Sequence, residues 1–288
     1  MSILFKSLLR NLGRSSHKST PARTPAQLLA EARVLFDAHD LAGAQLRCEE
    51  ALEREPEQAD ALHLMGLMAH RLRDLPFATE YFERSIQARP GDAVFHNNLG
   101  SVLVDSGRTE EAAVVFRQAL ALDPGSRAAR ANLLFVLALL PGGRPQEVYA
   151  EHLAWANSHA DPLLAHTQVH RNARDPERRL RIGYVSADFR QHALSYFVEP
   201  ALARHEREAF EVFCYHGGSV VDEVTRRLMQ HAEHWSNIAD MDDAAAAQLI
   251  RADGIDILID VSGHTSGNRL LLFGRKPAPL QVSFLGYL

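Results

Sequence analysis

The 288-residue sequence predicts two regions of different fold class, an α-helical repeat solenoid followed by a partial α/β region with a parallel sheet. Three observations predict this division. The first half contains a regular repeat of small, aromatic and proline residues, and the second half alternates strand-like apolar runs with helical segments. Between them the repeat register is lost.

The repeat has a period of 34 residues. Small residues that let two helices approach, a large apolar residue between them and a proline after the second helix form this pattern. Its columns are Ala32, Gly66 and Gly100; Ala44, Ala78 and Ala112; Cys48, Phe82 and Phe116; and Pro56, Pro90 and Pro124. This is the signature of a tetratricopeptide repeat, and it predicts three antiparallel helical pairs over 25–126.

Two less regular segments border the repeats. We expect 1–24, which begins with a basic amphipathic stretch, to be a flexible leader; a membrane-surface anchor is the alternative. No run approaches the length of a membrane-spanning helix. We expect 127–178 to be a helical linker whose apolar run is buried through Leu133, Phe135, Val136 and either Leu139 or Leu140.

Region 179–288 changes from the helical period to the strand period. Strands are predicted at 181–185, 210–215, 255–261 and 280–287, and helices at 195–205, 222–231 and 242–253. Alternation of strands and helices predicts a parallel sheet with helices on both faces.

The candidate site lies in the loops that follow the strands, because ligands bind at the carboxyl edge of such sheets. The first loop contains Asp188, Arg190 and His192, and the loop after 255–261 contains His264 and its neighbours. A histidine at each of two strand ends favours a functional interpretation. The structural alternative is that Asp188 only stabilises a turn and Gly263 only permits one.

Composition excludes several function classes. With 31 basic and 36 acidic residues the net charge is −5, so we expect no nucleic-acid partner. The excess of arginine over lysine is attributed to overall composition and not to a phosphate-binding surface. The histidines lack zinc-site spacing, and no P-loop is present. Cys48 and Cys214 are predicted to be buried free thiols, which favours a reducing, cytoplasmic location.

The sequence resembles a known enzyme family in LRIGYVSADFRQH, FEVFCY and DGIDILIDVSGHTSGNR, which follow the repeats. These segments are similar to the protein O-linked N-acetylglucosamine transferases of the SPINDLY-like bacterial branch. The resemblance implies an inverting transferase with Rossmann-like lobes that moves N-acetylglucosamine from UDP-GlcNAc to Ser or Thr of proteins. It also implies a repeat groove that holds the acceptor polypeptide, and neither a metal nor another cofactor.

The resemblance assigns roles to residues of both loops. His192 matches the family's active-site histidine, and His264 and Thr265 match the loop that faces the sugar donor. We therefore expect His192 and His264 to be catalytic. The residues expected to bind substrate are Asp188, Asp260, Gly263, Thr265, Asn268 and Arg269.

The resemblance also implies that the catalytic region of family members continues beyond the motif that ends in Leu285, Gly286 and Tyr287. We therefore expect 179–288 to be one lobe of an incomplete catalytic region, with little transfer activity by itself. The alternatives are a repeat-based protein-interaction scaffold and another nucleotide-dependent enzyme on the same fold. Binding of a UDP-sugar, measured by calorimetry, separates the scaffold from the enzyme.

Overall fold

The computed structural model describes residues 23–140, 142 and 145–285. The chain divides into two compact units, the first ending at Val148 and the second beginning at Tyr149. This division falls within the predicted linker, 127–178. Most of the predicted leader, 1–22, and the end of the last predicted strand, 286–287, lie outside the described residues.

The first unit consists of helices that pack in sequence order, each against the next. They are α1 Pro25–Asp37, α2 Leu41–Leu52, α3 Ala59–Arg71, α4 Leu75–Ala88, α5 Ala93–Asp105, α6 Thr109–Leu122 and α7 Arg127–Leu139. The first six form the three predicted pairs. Pro56, Pro90 and Pro124 each follow the second helix of a pair, so the predicted repeat is confirmed.

The repeated small residues mark the closest approach of the two helices in a pair. A Cβ atom added to Gly66 would lie 2.7 Å from the ring of Phe82, and one added to Gly100 would lie 2.5 Å from the ring of Phe116. Both rings are fully buried. The same contact between a glycine and an aromatic ring thus recurs every 34 residues.

Helix α7 follows the third pair and belongs to the first unit's core through one face only. Leu133, Val136 and Leu140 are buried in that core. Phe135 is 42% exposed and Leu139 is 51% exposed, so the expectation that Phe135 is buried was wrong. An apolar run without gaps does not show which side of a helix faces the core, whereas the 3.6-residue helical period does.

The second unit begins within α8 (Pro145–Trp155), which continues as a π-helical turn, Ala156–Ala160, and a 3₁₀ helix, Asp161–His166. Its remaining elements are β1 Leu180–Ser186, α9 Ser195–Ala203, β2 Phe210–His216, α10 Glu223–Met229, β3 His234–Asn237, α11 Asp243–Ala252, β4 Ile257–Asp260, α12 Leu270–Gly274 and β5 Leu280–Ser283. The strands pair in parallel in the order β3-β2-β1-β4-β5.

Successive residues of β2 enter the cores on opposite faces of the sheet. Val212 and Cys214 pack with Val198 of α9 on one face, whereas Phe213 and Tyr215 pack with α11 on the other. Helices therefore cover both faces, as predicted. Strand β3 was not predicted, because HWSN is short and mostly polar and takes its conformation from pairing with β2.

Candidate functional site

The carboxyl ends of the neighbouring strands β1 and β4 are joined by a hydrogen bond between two buried hydroxyl groups. Ser186 Oγ and Ser262 Oγ lie 2.9 Å apart. Ser186 Oγ also accepts a hydrogen bond from the backbone N–H of Asp188 at 2.9 Å. The two loops that were predicted to carry the site therefore leave the sheet from one fixed point.

The loop after β1 is held by charged groups. Asp188 is buried and accepts a hydrogen bond from Arg190 Nη2 at 3.0 Å. The backbone N–H of Gln191 donates to Asp222, the residue that caps α10, at 2.7 Å. The Arg190 side chain remains 39% exposed. This loop thus presents to solvent a guanidinium group whose charge is balanced, and whose position is fixed, by a buried carboxylate.

The contacts of His192 determine what its imidazole can do. The ring is exposed, and Nδ1 accepts a hydrogen bond from the backbone N–H of Leu194 at 3.2 Å. A neutral imidazole with an accepting Nδ1 carries its proton on Nε2. In this geometry His192 can donate a hydrogen bond to a ligand oxygen, but it can accept a proton only after the contact with Leu194 is broken.

Asp260 shapes the loop after β4. Its carboxylate accepts hydrogen bonds from the backbone N–H groups of Ser262 and Gly263, each at 3.0 Å. Burial raises the pKa of Asp260, although these two N–H groups act in the opposite direction. Gly263 has a φ of 58°, in the region that favours glycine. Both residues fold the loop in this structure.

Three other predicted ligands make bonds within the protein. Thr265 Oγ1 donates to the carbonyl of Ser262 at 2.9 Å, and Asn268 Nδ2 donates to the carbonyl of Thr265 at 2.7 Å. Arg269 is largely buried, and its Nη2 donates to the carbonyl groups of Ile238 at 3.0 Å and Met241 at 2.7 Å. Arg269 therefore fastens the loop after β4 to the segment after β3.

His264 lies in an aromatic cluster with the end of α8. Its ring packs edge-on against Trp155, with centroids 5.0 Å apart, and lies 5.2 Å from the ring of His152. Burial, with a smaller effect of His152, lowers the pKa of His264 to about 4. The ring is therefore uncharged at neutral pH and serves packing in this structure.

A cleft of about 460 Å³ lies at this edge of the sheet. It is lined by Ala187, Asp188, Arg190, His192, Gly218, Ser219, Val220, Thr265 and Ser266. Of the predicted site residues, the cleft brings together Asp188, His192 and Thr265. The lining does not include Asp260 at the end of β4, nor Gly263, His264, Asn268 and Arg269 of the segment that follows it.

One wall of the cleft was missed by the sequence analysis, namely the loop after β2. A Cβ atom on Gly218 would lie 2.4 Å from the carbonyl oxygen of Ala187, so glycine is required where the two loops cross. His216 is fully buried, and its Nε2 lies 3.0 Å from the carbonyl oxygen of Val220. Two consecutive glycines directly after a predicted strand were the available signal.

The cleft presents hydrogen-bond donors, among them the ion-paired guanidinium of Arg190, and such a lining suits phosphate or hydroxyl oxygens. The described residues contain no group of three or more His, Cys, Asp or Glu side chains arranged to hold a metal ion. They also contain no helix that is both long and apolar enough to cross a membrane.

These features define a class, a repeat protein whose α/β unit carries a polar cleft at the carboxyl edge of a parallel sheet. Comparison with known protein families narrows this class further. Residues 155–288 match the model of glycosyl transferase family 41, and residues 93–126 match a tetratricopeptide repeat model. The two units thus carry the sequence features of a repeat region and of a family 41 region.

Named relatives agree with these matches. The chain is 34% identical over 172 residues to the probable UDP-N-acetylglucosamine–peptide N-acetylglucosaminyltransferase SPINDLY of Petunia hybrida, over 58% of this chain and 18% of the relative. It is 43% identical over 113 residues to the UDP-N-acetylglucosamine–peptide N-acetylglucosaminyltransferase of Caenorhabditis elegans, over 38% of this chain and 10% of the relative. The chain thus spans less than a fifth of these relatives.

A solved structure resembles most of the chain. The O-GlcNAc transferase of Thermobaculum terrenum, solved as a single-residue mutant, is 37% identical, with a TM-score of 0.76. The match covers 94% of this chain and 52% of that one. The predicted resemblance to SPINDLY-type O-GlcNAc transferases and the predicted fold class are confirmed.

Proposed function

We propose that the chain forms part of a protein O-glycosyltransferase that moves N-acetylglucosamine from UDP-GlcNAc to Ser or Thr hydroxyl groups. The observation that carries this proposal is the cleft of Asp188, Arg190, His192 and Thr265 at the edge of the family 41 region. The names and structure of the relatives supply the donor and the acceptor class.

Within this reaction His192 serves as a hydrogen-bond donor from Nε2. Its Nδ1 is occupied by the N–H of Leu194, so the neutral ring presents a proton and not a lone pair to the cleft. A donor at this position orients the acceptor hydroxyl or a phosphate oxygen of the donor sugar. Arg190, held in place by its ion pair with Asp188, adds guanidinium N–H donors for the diphosphate oxygens.

The acceptor polypeptide binds to the first helices of the repeat pairs in this proposal. A groove of about 410 Å³ crosses α1, α3 and α5, with Phe36, Leu67 and Val94 among its apolar lining residues. Next to it, Asn98 Nδ2 lies 2.8 Å from His63 Nε2, and Asn132 Nδ2 donates to Asn97 Oδ1 at 3.0 Å. A groove that combines these apolar residues with the charged groups of Arg33, Asp60 and Asp92 suits a polypeptide segment.

The test is transfer of N-acetylglucosamine to an acceptor peptide, followed by mass spectrometry. The chain is assayed alone and joined to the remaining catalytic region of the Thermobaculum terrenum relative. We expect transfer by the joined protein. His192→Ala should lower kcat/KM by less than about 10²-fold, because it removes a hydrogen-bond donor that orients substrate and not a general base. His166→Ala, an exposed histidine outside the cleft, is the matched control.

Two outcomes contradict parts of the proposal. Loss of an acidic limb of the pH profile in His192→Ala, with a rate loss near 10⁴-fold, would show that His192 acts as a general base and not as a donor. Absence of transfer and of UDP-GlcNAc binding from both proteins, with peptide binding by the repeats retained, would favour the scaffold.

A further inference from the structure

A second, larger cavity lies at the opposite edge of the sheet, where the strands begin. Its volume is about 1280 Å³, and its walls come from the segment before β1, the start of β1 and the end of α11. The lining contains five arginines and one glutamate, namely Arg171, Arg178, Arg179, Arg181, Arg251 and Glu211. No residue of the candidate site lies here.

Three of these arginines are neutralised by carboxylates. The ion pairs are Arg178 with Asp256, Arg179 with Glu233, and Arg181 with Glu211. They build the wall of the cavity, and their charge is not available to a ligand. The remaining two arginines decide what the cavity can bind.

Arg251 is a half-buried cation whose hydrogen-bond partners in the described part of the chain carry no charge. Its guanidinium donates to the carbonyl groups of Gln168 at 3.3 Å and Lys276 at 2.8 Å, and it lies 3.3 Å from Nδ1 of His170. Arg171 is exposed and makes no ion pair with any described residue. Because neither guanidinium is paired with a carboxylate of a described residue, the cavity holds positive charge that these residues do not compensate.

His170 adds a further hydrogen-bond donor to the cavity wall. With Nδ1 accepting from Arg251, the neutral ring carries its proton on Nε2, which is buried and has no hydrogen-bond partner among the described residues. Burial, together with the positive charges of Arg251 and Lys276, lowers the pKa of His170. Burial and the neighbouring cations therefore both favour the neutral ring.

The walls of the cavity are fixed without a ligand. Asn172 Nδ2 donates to the carbonyl of Gly254 at 2.9 Å and to Asp256 Oδ1 at 2.6 Å, which holds the segment before β1 across the sheet edge. The same carboxylate accepts from Arg178 Nη1 at 2.7 Å. A preorganised cavity loses little conformational entropy when a ligand enters.

We propose that this cavity binds a small anion that carries two or more phosphate groups. Guanidinium groups pair well with phosphate oxygens, and a phosphate supplies the acceptors that Arg251 and Arg171 lack. The volume exceeds the roughly 300–1,000 Å³ of ordinary small-molecule pockets, so it admits a nucleotide or a short polyphosphate. The chain as a whole is acidic, so its net charge does not attract anions.

The test is isothermal titration of the full chain with tripolyphosphate at low salt. Arg251→Gln should weaken binding by roughly 10- to 100-fold, since one charged hydrogen-bonding group is removed, and Arg171→Gln should weaken it less. Arg226→Gln, an exposed arginine on α10, removes the same charge elsewhere and should leave binding unchanged. Circular dichroism checks that each variant is folded. If Arg251→Gln is unfolded, the affinity of Arg171→Gln tests the proposal instead.

A second titration, with a doubly phosphorylated serine peptide, distinguishes a free phosphate compound from a phosphorylated protein segment as the source. The probe that binds more tightly identifies the source. Weaker binding of that probe by Arg171→Gln supports the site. Failure of both probes to bind, or an equal loss in Arg226→Gln, overturns the proposal. Unchanged binding in folded Arg251→Gln also overturns it.

Discussion

Replacing Gly100 by alanine tests whether the repeated small residues are a packing requirement. A Cβ atom at Gly100 would lie 2.5, 2.7 and 2.8 Å from three ring carbons of Phe116. Non-bonded carbon atoms are comfortable at about 3.5–4.0 Å, and the Phe116 ring is 1% exposed and has no route into solvent. The added methyl group therefore forces α5 and α6 apart or displaces the ring.

Two effects of opposite sign determine the magnitude. Alanine is better than glycine within a helix by about 1 kcal/mol. Overpacking of a well-packed core costs roughly 1–3 kcal/mol, and three simultaneous short contacts place Gly100→Ala at the upper end of this range. We expect Gly100→Ala to lower the free energy of unfolding of the repeat unit by about 1–2 kcal/mol.

The assay is urea unfolding followed by far-ultraviolet circular dichroism, within a double-mutant cycle. In a Phe116→Leu background the smaller side chain leaves room for the methyl group, so Gly100→Ala should become neutral or stabilising. Gly91→Ala is the control, because a Cβ there meets nothing within 4 Å, and it should stabilise by about 0.4–1 kcal/mol. Stabilisation by Gly100→Ala in the otherwise unchanged chain would refute the packing argument.

Two further predictions concern the second unit. Because the pKa of His264 is lowered from 6.5 to about 4, the unfolded chain binds more protons between these values, and stability should fall as the pH falls through that window. His264→Phe should remove about 2 kcal/mol of this pH dependence, after allowance for partial exposure, as thermal unfolding at pH 7.5 and pH 4.5 would show; equal slopes would contradict it. Arg269→Lys should destabilise the unit by about 2 kcal/mol through lost bonds to Ile238 and Met241, and unchanged stability would favour a ligand role.

The fold was predictable from the sequence because its strongest signals are periodic. Spacing in the repeats reports the same contact, glycine against an aromatic ring, at Gly66 and Gly100. Short apolar runs in the sequence predicted the strands whose central residues are buried. Strand β3 and the exposure of Phe135 were not predictable in this way, since both depend on what lies beside the segment and not on the segment itself.

The candidate site was predictable to the level of loops but not of atoms. Strand ends located Asp188 and His192 correctly at one edge, where they share a cleft with Thr265. The place of Gly218 in the cleft wall was not predictable, because it depends on how the loops after β1 and β2 cross. In the second cavity Arg251 is far in sequence from Arg171 and the other three arginines, so composition alone could not show that they line one cavity.

A polar residue can act on a substrate only with atoms that the fold does not already use. The charged groups of Asp260 and Arg269 are hydrogen-bonded to backbone N–H and carbonyl groups. Substitution of either residue should therefore destabilise the loop, and any change in rate would follow from that. His192 uses one ring nitrogen for its own loop and leaves the other for a ligand. Rates measured for variants of Asp260 or Arg269 therefore have to be compared at equal folded fraction, whereas a rate change in folded His192→Ala reports directly on the cleft.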